Sequence, residues 1–183
     1  MTTASAASAT ATAPGLSDVV SAVRAAVRQG GDWARTAGLV AGQLRLHLPG
    51  PEILTDAERR GDPARYRSHL LHTEPDGSFS VLAMVWLPGQ VTPVHDHVTW
   101  CVFGVLQGIE YEELYTLTAG GRALREAGQS QNLTGEVSGF APPGDIHRVR
   151  NCGDSVAISL HVYGADISRL GSSVRRVYDL PVR

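Results

Sequence analysis

The amino-acid sequence predicts a mainly β protein, a small antiparallel β-barrel or sandwich preceded by a helical region. From Tyr66 onward, short apolar runs alternate with Gly, Pro and polar turns, and many short strands at near-even spacing are typical of antiparallel barrels and sandwiches. Residues 16–65 instead show helical patterns. The chain has 183 residues, enough for one domain with a substantial core.

We expect residues 1–15 to form a disordered tail, residues 16–65 a helical cap and residues 66–183 the β-barrel, with cap and barrel in one domain. The first 14 residues lack the basic start and the Leu-rich core of a secretory signal. Two cysteines in a chain without such a signal favour a cytoplasmic protein. The net charge of −2 provides no electrostatic basis for binding nucleic acid or an anionic membrane.

Three helices are predicted in the cap. The first covers residues 17–28, where valines share one face. The second covers residues 32–46, with Trp33 among its inward-facing residues. Thr55 and Glu58 have the spacing of a capping box, which predicts a short third helix.

Seven strands are predicted in the barrel. They are Phe79–Leu87, Trp100–Leu106, Glu110–Leu117, Arg122–Glu126, Glu136–Ala141, His147–Asn151 and Ser155–Tyr163. The first of these is apolar almost throughout, which is typical of a fully buried strand of this length. The segment from residue 167 to residue 183 shows no clear pattern.

The strongest functional signal lies between Gly89 and Gly108 and is centred on His95-x-His97. Histidines two apart on an extended chain point to the same face. Two imidazoles on one face can hold one metal ion, and imidazole suits Fe, Zn, Cu and Ni. His147 is a third candidate ligand. The alternative is that these histidines are hydrogen-bonded core residues, which three such residues together disfavour.

Two segments of the chain resemble the two motifs of the cupins. They are Gly89 followed after five residues by His95-x-His97 and closed by Gly108, and Pro142-x-Gly144-x-x-His147-x-x-x-Asn151. The resemblance implies a single-domain jelly roll in which glycines and prolines turn the strands at the barrel mouth. It also implies that the three imidazoles converge in a pocket that excludes bulk water.

The chain departs from the general cupin pattern at Cys101. Most metal-binding cupins carry a Glu three or four residues after the second histidine, and here no acid occurs between Asp96 and Glu110. The resemblance therefore implies three neutral histidine ligands without a carboxylate. A divalent metal in such a site keeps its full charge and favours an anionic ligand such as a thiolate. A six-coordinate metal would keep about three positions open for a chelating substrate and O₂.

These features resemble the thiol dioxygenases of the cysteine dioxygenase and 3-mercaptopropionate dioxygenase family, cupins that hold Fe(II) with three histidines. Ser159-x-His161-x-Tyr163 is similar to the family's Ser-His-Tyr triad, and alternate residues of one strand face the same way. The resemblance implies that the serine orients the histidine, the histidine orients the tyrosine, and the phenol hydrogen-bonds near the substrate and O₂. The alternative, a polar face on an edge strand, fits poorly between Ile158 and Val162.

Counted back from Gln107-Gly108, Cys101 falls where animal cysteine dioxygenases carry the cysteine that crosslinks to the active-site tyrosine. The resemblance thus implies a thioether between Cys101 and Tyr163. The alternative for Cys101 is a buried, inert thiol.

The substrate-binding position also departs from the family. Cysteine-type enzymes carry an Arg two residues after a tyrosine like Tyr66, mercaptopropionate-type enzymes carry a Gln, and this chain has Ser68. A serine cannot form a bidentate charged pair with a carboxylate. The candidates for binding the substrate are therefore Tyr66, Ser68, Arg67 and Arg169, and a solvated surface charge is the alternative for each of the two arginines. The departure makes a bulkier or unusual thiol one of the options.

The resemblance implies an Fe(II)-dependent thiol dioxygenase that converts a small thiol, such as cysteine or 3-mercaptopropionate, and O₂ into the sulfinate. We expect the thiol and O₂ as partners, no nucleic acid or membrane, and a cytoplasmic monomer or small homo-oligomer. One alternative is a three-His cupin with another metal-dependent reaction, against which the Ser-His-Tyr strand counts. The other is a non-catalytic, ligand-sensing cupin, which would bind its ligand without O₂ uptake.

Overall fold

Two five-stranded antiparallel sheets make up most of the computed structural model, which describes residues 15–183. The elements in chain order are α1 (Leu16–Val27), α2 (Trp33–His47), a 3-10 turn (Pro51–Ile53), α3 (Asp56–Arg59), β1 (Arg67–Thr73), β2 (Ser80–Trp86), β3 (His95–His97), β4 (Cys101–Gln107), β5 (Ile109–Leu117), β6 (Leu124–Leu133), β7 (Val137–Phe140), β8 (His147–Arg150), β9 (Ala157–Tyr163), α4 (Ile167–Leu170) and β10 (Val174–Val177). The strand order is β1-β2-β9-β4-β7 in the first sheet and β10-β3-β8-β5-β6 in the second.

The prediction of a mainly β protein with antiparallel strands and N-terminal helices is confirmed by this architecture. Apart from Gly15, the tail predicted at residues 1–15 lies outside the described residues. The division into a cap and a barrel stays a prediction.

Every residue of β9 is buried, because both faces of the strand are covered by other parts of the protein. One face carries apolar side chains that share a core with the valines and leucines of α1 and α2, and these are Ile158, Leu160 and Val162. The other face lines the interior of the barrel with polar side chains, of which His161 and Tyr163 border a cavity. The period-2 alternation of a strand thus separates the core from the candidate site.

The helical region agrees with its prediction except at Trp33. The capping box is present, since the backbone N–H of Thr55 donates to Glu58 and the backbone N–H of Glu58 donates to Thr55. Trp33 is 46% exposed, so the expectation that it faces inward is wrong. It is the first residue of α2, directly after the cap residue Asp32, and the buried face of the helix begins only at Thr36. Among residues 15–183, no helix combines the length and the apolar character of a membrane span.

Strand β6 is longer than its predicted range of residues 122–126 and continues to Leu133. The added residues are mostly small or polar, and they pair with β5 as far as the Ile109–Leu133 pair. Cross-strand pairing, rather than a hydrophobic pattern, therefore extends this edge strand. The same reason explains β1 and β10, two strands without a fully buried residue that were not predicted.

Replacing Leu44 by Ala is expected to lower the free energy of unfolding by about 2–5 kcal/mol, the usual cost of emptying a core position. Leu44 is 1% exposed and packs in the core shared by α2 and the first sheet. Leu46 lies on the same helix and is 75% exposed, so Leu46→Ala is the matched control, with an expected change within about 0.5 kcal/mol. Urea unfolding followed by circular dichroism measures both variants. Equal changes in the two would contradict the packing of α2 on the sheet.

Candidate metal centre

His95, His97 and His147 come together inside the barrel. The first two lie on β3, and His95 is the direct cross-strand partner of His147 on β8. One ligand atom from each histidine lies within 4.8 Å of the others, and all three side chains are buried. The structure therefore gathers three nitrogen donors around one point.

The Nδ1 atom of each histidine already faces an oxygen acceptor. His95 Nδ1 lies 2.9 Å from the Pro93 carbonyl, His97 Nδ1 3.1 Å from Asp145 Oδ2, and His147 Nδ1 2.7 Å from Glu112 Oε1. An Nδ1–H that donates to such an acceptor leaves the lone pair of Nε2 free and holds the ring in place. The three side chains therefore fit a metal that binds neutral imidazole.

Asp145 and Glu112 support the histidines and were missed in the sequence. Asp145 Oδ2 also accepts a hydrogen bond from the backbone N–H of His97 at 2.9 Å. Asp145 lies two residues before His147, and Glu112 alternates with Glu110 on one strand. These patterns indicate that the acids face inward, but neither shows which histidine each one meets.

Burial keeps two of the candidate ligands, His95 and His97, neutral. It lowers the pKa of His95 to about 3, and the neighbouring His147 and His97 contribute to that lowering. Burial also lowers the pKa of His97, against the opposing effect of its hydrogen bond to Asp145. For Asp145, burial raises the pKa, but the hydrogen bonds from His97 outweigh it and keep the carboxyl pKa below its usual value. Neutral imidazole is the form that binds a metal.

Ser159, His161 and Tyr163 form a row on the inner face of β9. Ser159 Oγ lies 2.8 Å from His161 Nε2, and the Tyr163 hydroxyl lies 3.4 Å from His161 Nδ1. Burial lowers the pKa of His161 to about 3 and raises the pKa of Tyr163 well above its usual value. The Tyr163 ring also stacks on the His97 ring, with centroids 6.2 Å apart. A protonated phenol therefore lies beside the three-histidine cluster.

Cys101 lies directly across from Tyr163 in the pairing of β4 with β9. Its sulfur is 3.8 Å from His161 Nδ1, and burial raises the pKa of its thiol. The Cys101–Tyr163 thioether stays a prediction, and the structure places its two partners side by side. Cys152 is exposed and does not line the cavity described next.

A cavity of about 170 Å³ opens onto the three histidines. Tyr66 and Ser68 line it, together with a mainly apolar wall that includes Leu82, Met84, Trp86, Phe103, Phe140, Val149 and Ile167. Arg67 instead contacts Asp62 at 3.2 Å outside this cavity, and Arg169 lies exposed on α4. Within residues 15–183, no arginine lines the cavity. The structure thus brings two of the four substrate-binding candidates to the site.

Several solved structures are similar to this chain. TT1209 from Thermus thermophilus is 23% identical, with 61% of this chain and 96% of that chain covered and a TM-score of 0.45. A Cupin 2 conserved barrel domain protein from Salinispora arenicola is 21% identical, with coverage of 64% and 92% and a TM-score of 0.45. Oxalate oxidase in complex with glycolate is 19% identical, with coverage of 57% and 53% and a TM-score of 0.46.

A family model also matches the chain, over residues 59–172, and its description is cysteine dioxygenase type I. The matched residues include all three clustered histidines and the Ser159–Tyr163 row.

Proposed function

This chain belongs to the cysteine dioxygenase type I family, and on that premise we propose that it is an Fe(II)-dependent dioxygenase that oxidises a small thiol to its sulfinate. The proposal rests above all on one observation, the buried cluster of three histidines whose Nδ1 atoms all face oxygen acceptors. The Ser159-His161-Tyr163 row beside the cluster adds to that support.

The donor set fits Fe(II), since iron is among the metals that imidazole ligands suit. His95, His97 and His147 would hold the metal, with Asp145 and Glu112 orienting the rings of two of them. The bound metal would supply the chemistry that adds both atoms of O₂ to the thiol sulfur. Among the residues that the structure describes, no carboxylate belongs to the cluster, so a divalent metal held there would keep its positive charge and favour a thiolate.

The side chains around the cavity would exclude water and donate a hydrogen bond to the bound molecules. The apolar wall excludes water from the thiolate, which strengthens every polar contact within the site. Tyr163 keeps its proton because burial raises its pKa, and it can donate a hydrogen bond into the cavity. His161, held by Ser159, orients that phenol.

The cavity favours a thiol whose tail needs no charged partner. Tyr66 and Ser68 offer hydroxyl groups to the tail, and each can make a neutral hydrogen bond. Such bonds are weaker than a bidentate pair between an arginine and a carboxylate. Cysteine or 3-mercaptopropionate would therefore bind by their sulfur and by these hydroxyls, and a thiol without a carboxylate would lose little by comparison.

Oxygen uptake by the anaerobically Fe(II)-loaded protein tests the proposal. We expect uptake coupled one-to-one to a sulfinate, detected by mass, with at least one thiol from a panel of L-cysteine, 3-mercaptopropionate, cysteamine and mercaptosuccinate. Because the cavity wall formed by residues 15–183 includes no arginine, cysteamine should compete well with the acids. Protein that binds one iron but consumes no O₂ with any of these thiols would contradict the proposal and favour another metal-dependent reaction or a ligand sensor.

A further inference from the structure

Glu110 is a fully buried carboxyl group that the proposed chemistry leaves unused. It lies on the inner face of β5, and its direct partner across β5 and β6 is Asn132, which is also buried. Among residues 15–183, neither the carboxyl oxygens of Glu110 nor Asn132 Nδ2 have a hydrogen-bond partner. Burial of a polar group without a partner is costly and rare. A role near the site would account for such a group.

The neighbours of Glu110 connect it to the row on β9. Burial raises the pKa of Glu110 to about 7, the Ser159 and Trp86 side chains oppose that rise, and the nearby Glu112 carboxyl adds to it. Ser159 and Trp86 therefore adjoin the carboxyl group, although neither meets hydrogen-bond geometry with it. Trp86 Nε1 also donates to Ser159 Oγ at 3.4 Å. Glu110 thus lies at the end of the row that is opposite to Tyr163.

The other groups around Glu110 come from its own strand and from four others. Glu112 lies on its own strand and is engaged with His147 Nδ1. His161 on β9 has a pKa of about 3, and burial raises the pKa of Cys101 on β4, so both stay neutral near neutral pH. Trp86 on β2 and Asn132 on β6 do not titrate. Of these groups, Glu110 is the one whose pKa burial raises to about 7.

We propose that Glu110 is a positioning residue that, through Ser159, sets which nitrogen of His161 carries the proton and so directs the phenol hydrogen of Tyr163. Ser159 Oγ has one hydrogen to donate and two lone pairs that accept. In the proposed arrangement Ser159 also forms a hydrogen bond with Glu110, and the direction of that bond determines the direction of the bond between Ser159 and His161.

With Glu110 neutral, the carboxyl O–H donates to Ser159 Oγ, and the Ser159 hydroxyl donates to His161 Nε2. His161 then carries its hydrogen on Nδ1, which donates to the Tyr163 oxygen across the observed 3.4 Å. The phenol hydrogen of Tyr163 is left free to point into the cavity, toward the thiolate or O₂.

With Glu110 ionised, every bond in the row reverses. Ser159 donates to the carboxylate and accepts from the N–H at His161 Nε2. His161 Nδ1 then carries a lone pair, and it accepts the phenol hydrogen of Tyr163 or the thiol hydrogen of Cys101, whose sulfur lies 3.8 Å away. The phenol hydrogen is thereby drawn away from the substrate.

Histidine tautomers in the full-length, Zn²⁺-loaded protein test this proposal without any turnover. Two-bond ¹H–¹⁵N correlation spectra of histidine-labelled protein distinguish the two tautomers, and a His161→Gln variant identifies the resonances. We expect His161 to carry its hydrogen on Nδ1 at about pH 6 and on Nε2 at about pH 8, on either side of the Glu110 pKa. A wild-type His161 with one tautomer at both pH values would overturn the proposal, whatever reaction the protein catalyses.

Glu110→Gln isolates the role of the carboxyl group, because the amide can still donate to Ser159 but does not titrate. We expect His161 in this variant to stay protonated on Nδ1 throughout the pH range. Glu113→Gln is the matched control, since Glu113 lies on the same strand but pairs with Arg148 on its outer face, and it should shift like wild type. If Glu110→Gln also shifts like wild type, Glu110 does not control the tautomer.

The same inference, which here rests on the proposed function, predicts a pH effect on turnover. The neutral fraction of a group with a pKa of about 7 falls about tenfold from pH 6 to pH 8, so wild-type kcat should fall by about that factor relative to Glu110→Gln. In a Ser159→Ala background, the effect of adding Glu110→Gln should vanish. An effect that survives in that background would show that Glu110 acts by another route.

Discussion

Replacing His97 by Ala is expected to reduce bound iron to less than about a tenth of the wild-type amount and to lower thiol-dependent O₂ uptake at least about 100-fold. Mutating a residue that only hydrogen-bonds to a metal ligand costs up to about 100-fold, and removing the ligand itself should cost at least as much. The variant removes one of three nitrogen donors that lie within 4.8 Å of one another. It also removes the ring that Asp145 orients, so only two donors are left to hold the metal.

The fold should survive this substitution. The backbone N–H at position 97 still donates to Asp145, and β3 keeps its pairing with β8 and β10. Circular dichroism checks the fold, and iron is measured after anaerobic loading and desalting. His47→Ala is the matched control, because His47 is exposed on α2, and it should bind iron as wild type does. Full iron binding by His97→Ala would place the metal elsewhere.

Tyr163→Phe is expected to lower kcat about 100-fold, near the low end of the effect of one positioned proton donor, while iron content stays unchanged. The phenol stays protonated at neutral pH because burial raises its pKa. Its ring stacks on His97 but contributes no atom to the three-histidine cluster. The loss should therefore appear in turnover and not in metal binding.

Two further variants sharpen the tyrosine experiment. Tyr111→Phe removes a phenol from the outer side of β5, where Arg150 lies over the ring, and should leave kcat unchanged. Cys101→Ala keeps the Tyr163 phenol but prevents a thioether between the two residues. If kcat falls in Tyr163→Phe but not in Cys101→Ala, the effect belongs to the phenol alone. Equal kcat in Tyr163→Phe and wild type would remove the tyrosine from the mechanism.

Much of the site could be predicted because its signals are local in the chain. His95 and His97 face the same way since two residues span one period of a strand, and the same period places Ser159, His161 and Tyr163 on one face. The capping box that begins at residue 55 is likewise contained within four consecutive residues. Such patterns need no knowledge of the partner strands.

The expectation for Trp33 failed because helical periodicity describes the direction of a side chain and not where the core ends. Trp33 belongs to the first turn of α2, before the buried face of that helix begins. Strand β6 was underestimated for a related reason. Its polar residues carry no hydrophobic alternation, and their pairing with β5 makes them a strand.

By itself the sequence determined the fold class, the three clustered histidines and the inward face of β9, through local periodicity, spacing and the resemblance that these carry. Only the tertiary structure decided which carboxyl group supports which histidine. Glu112 reaches His147 and Asp145 reaches His97 through contacts between residues 35 and 48 positions apart in the chain. It also decided that Ser68 lines the cavity while Arg67 does not, and that Glu110 lies behind Ser159. These contacts depend on strand register, which is set by the packing of the whole barrel.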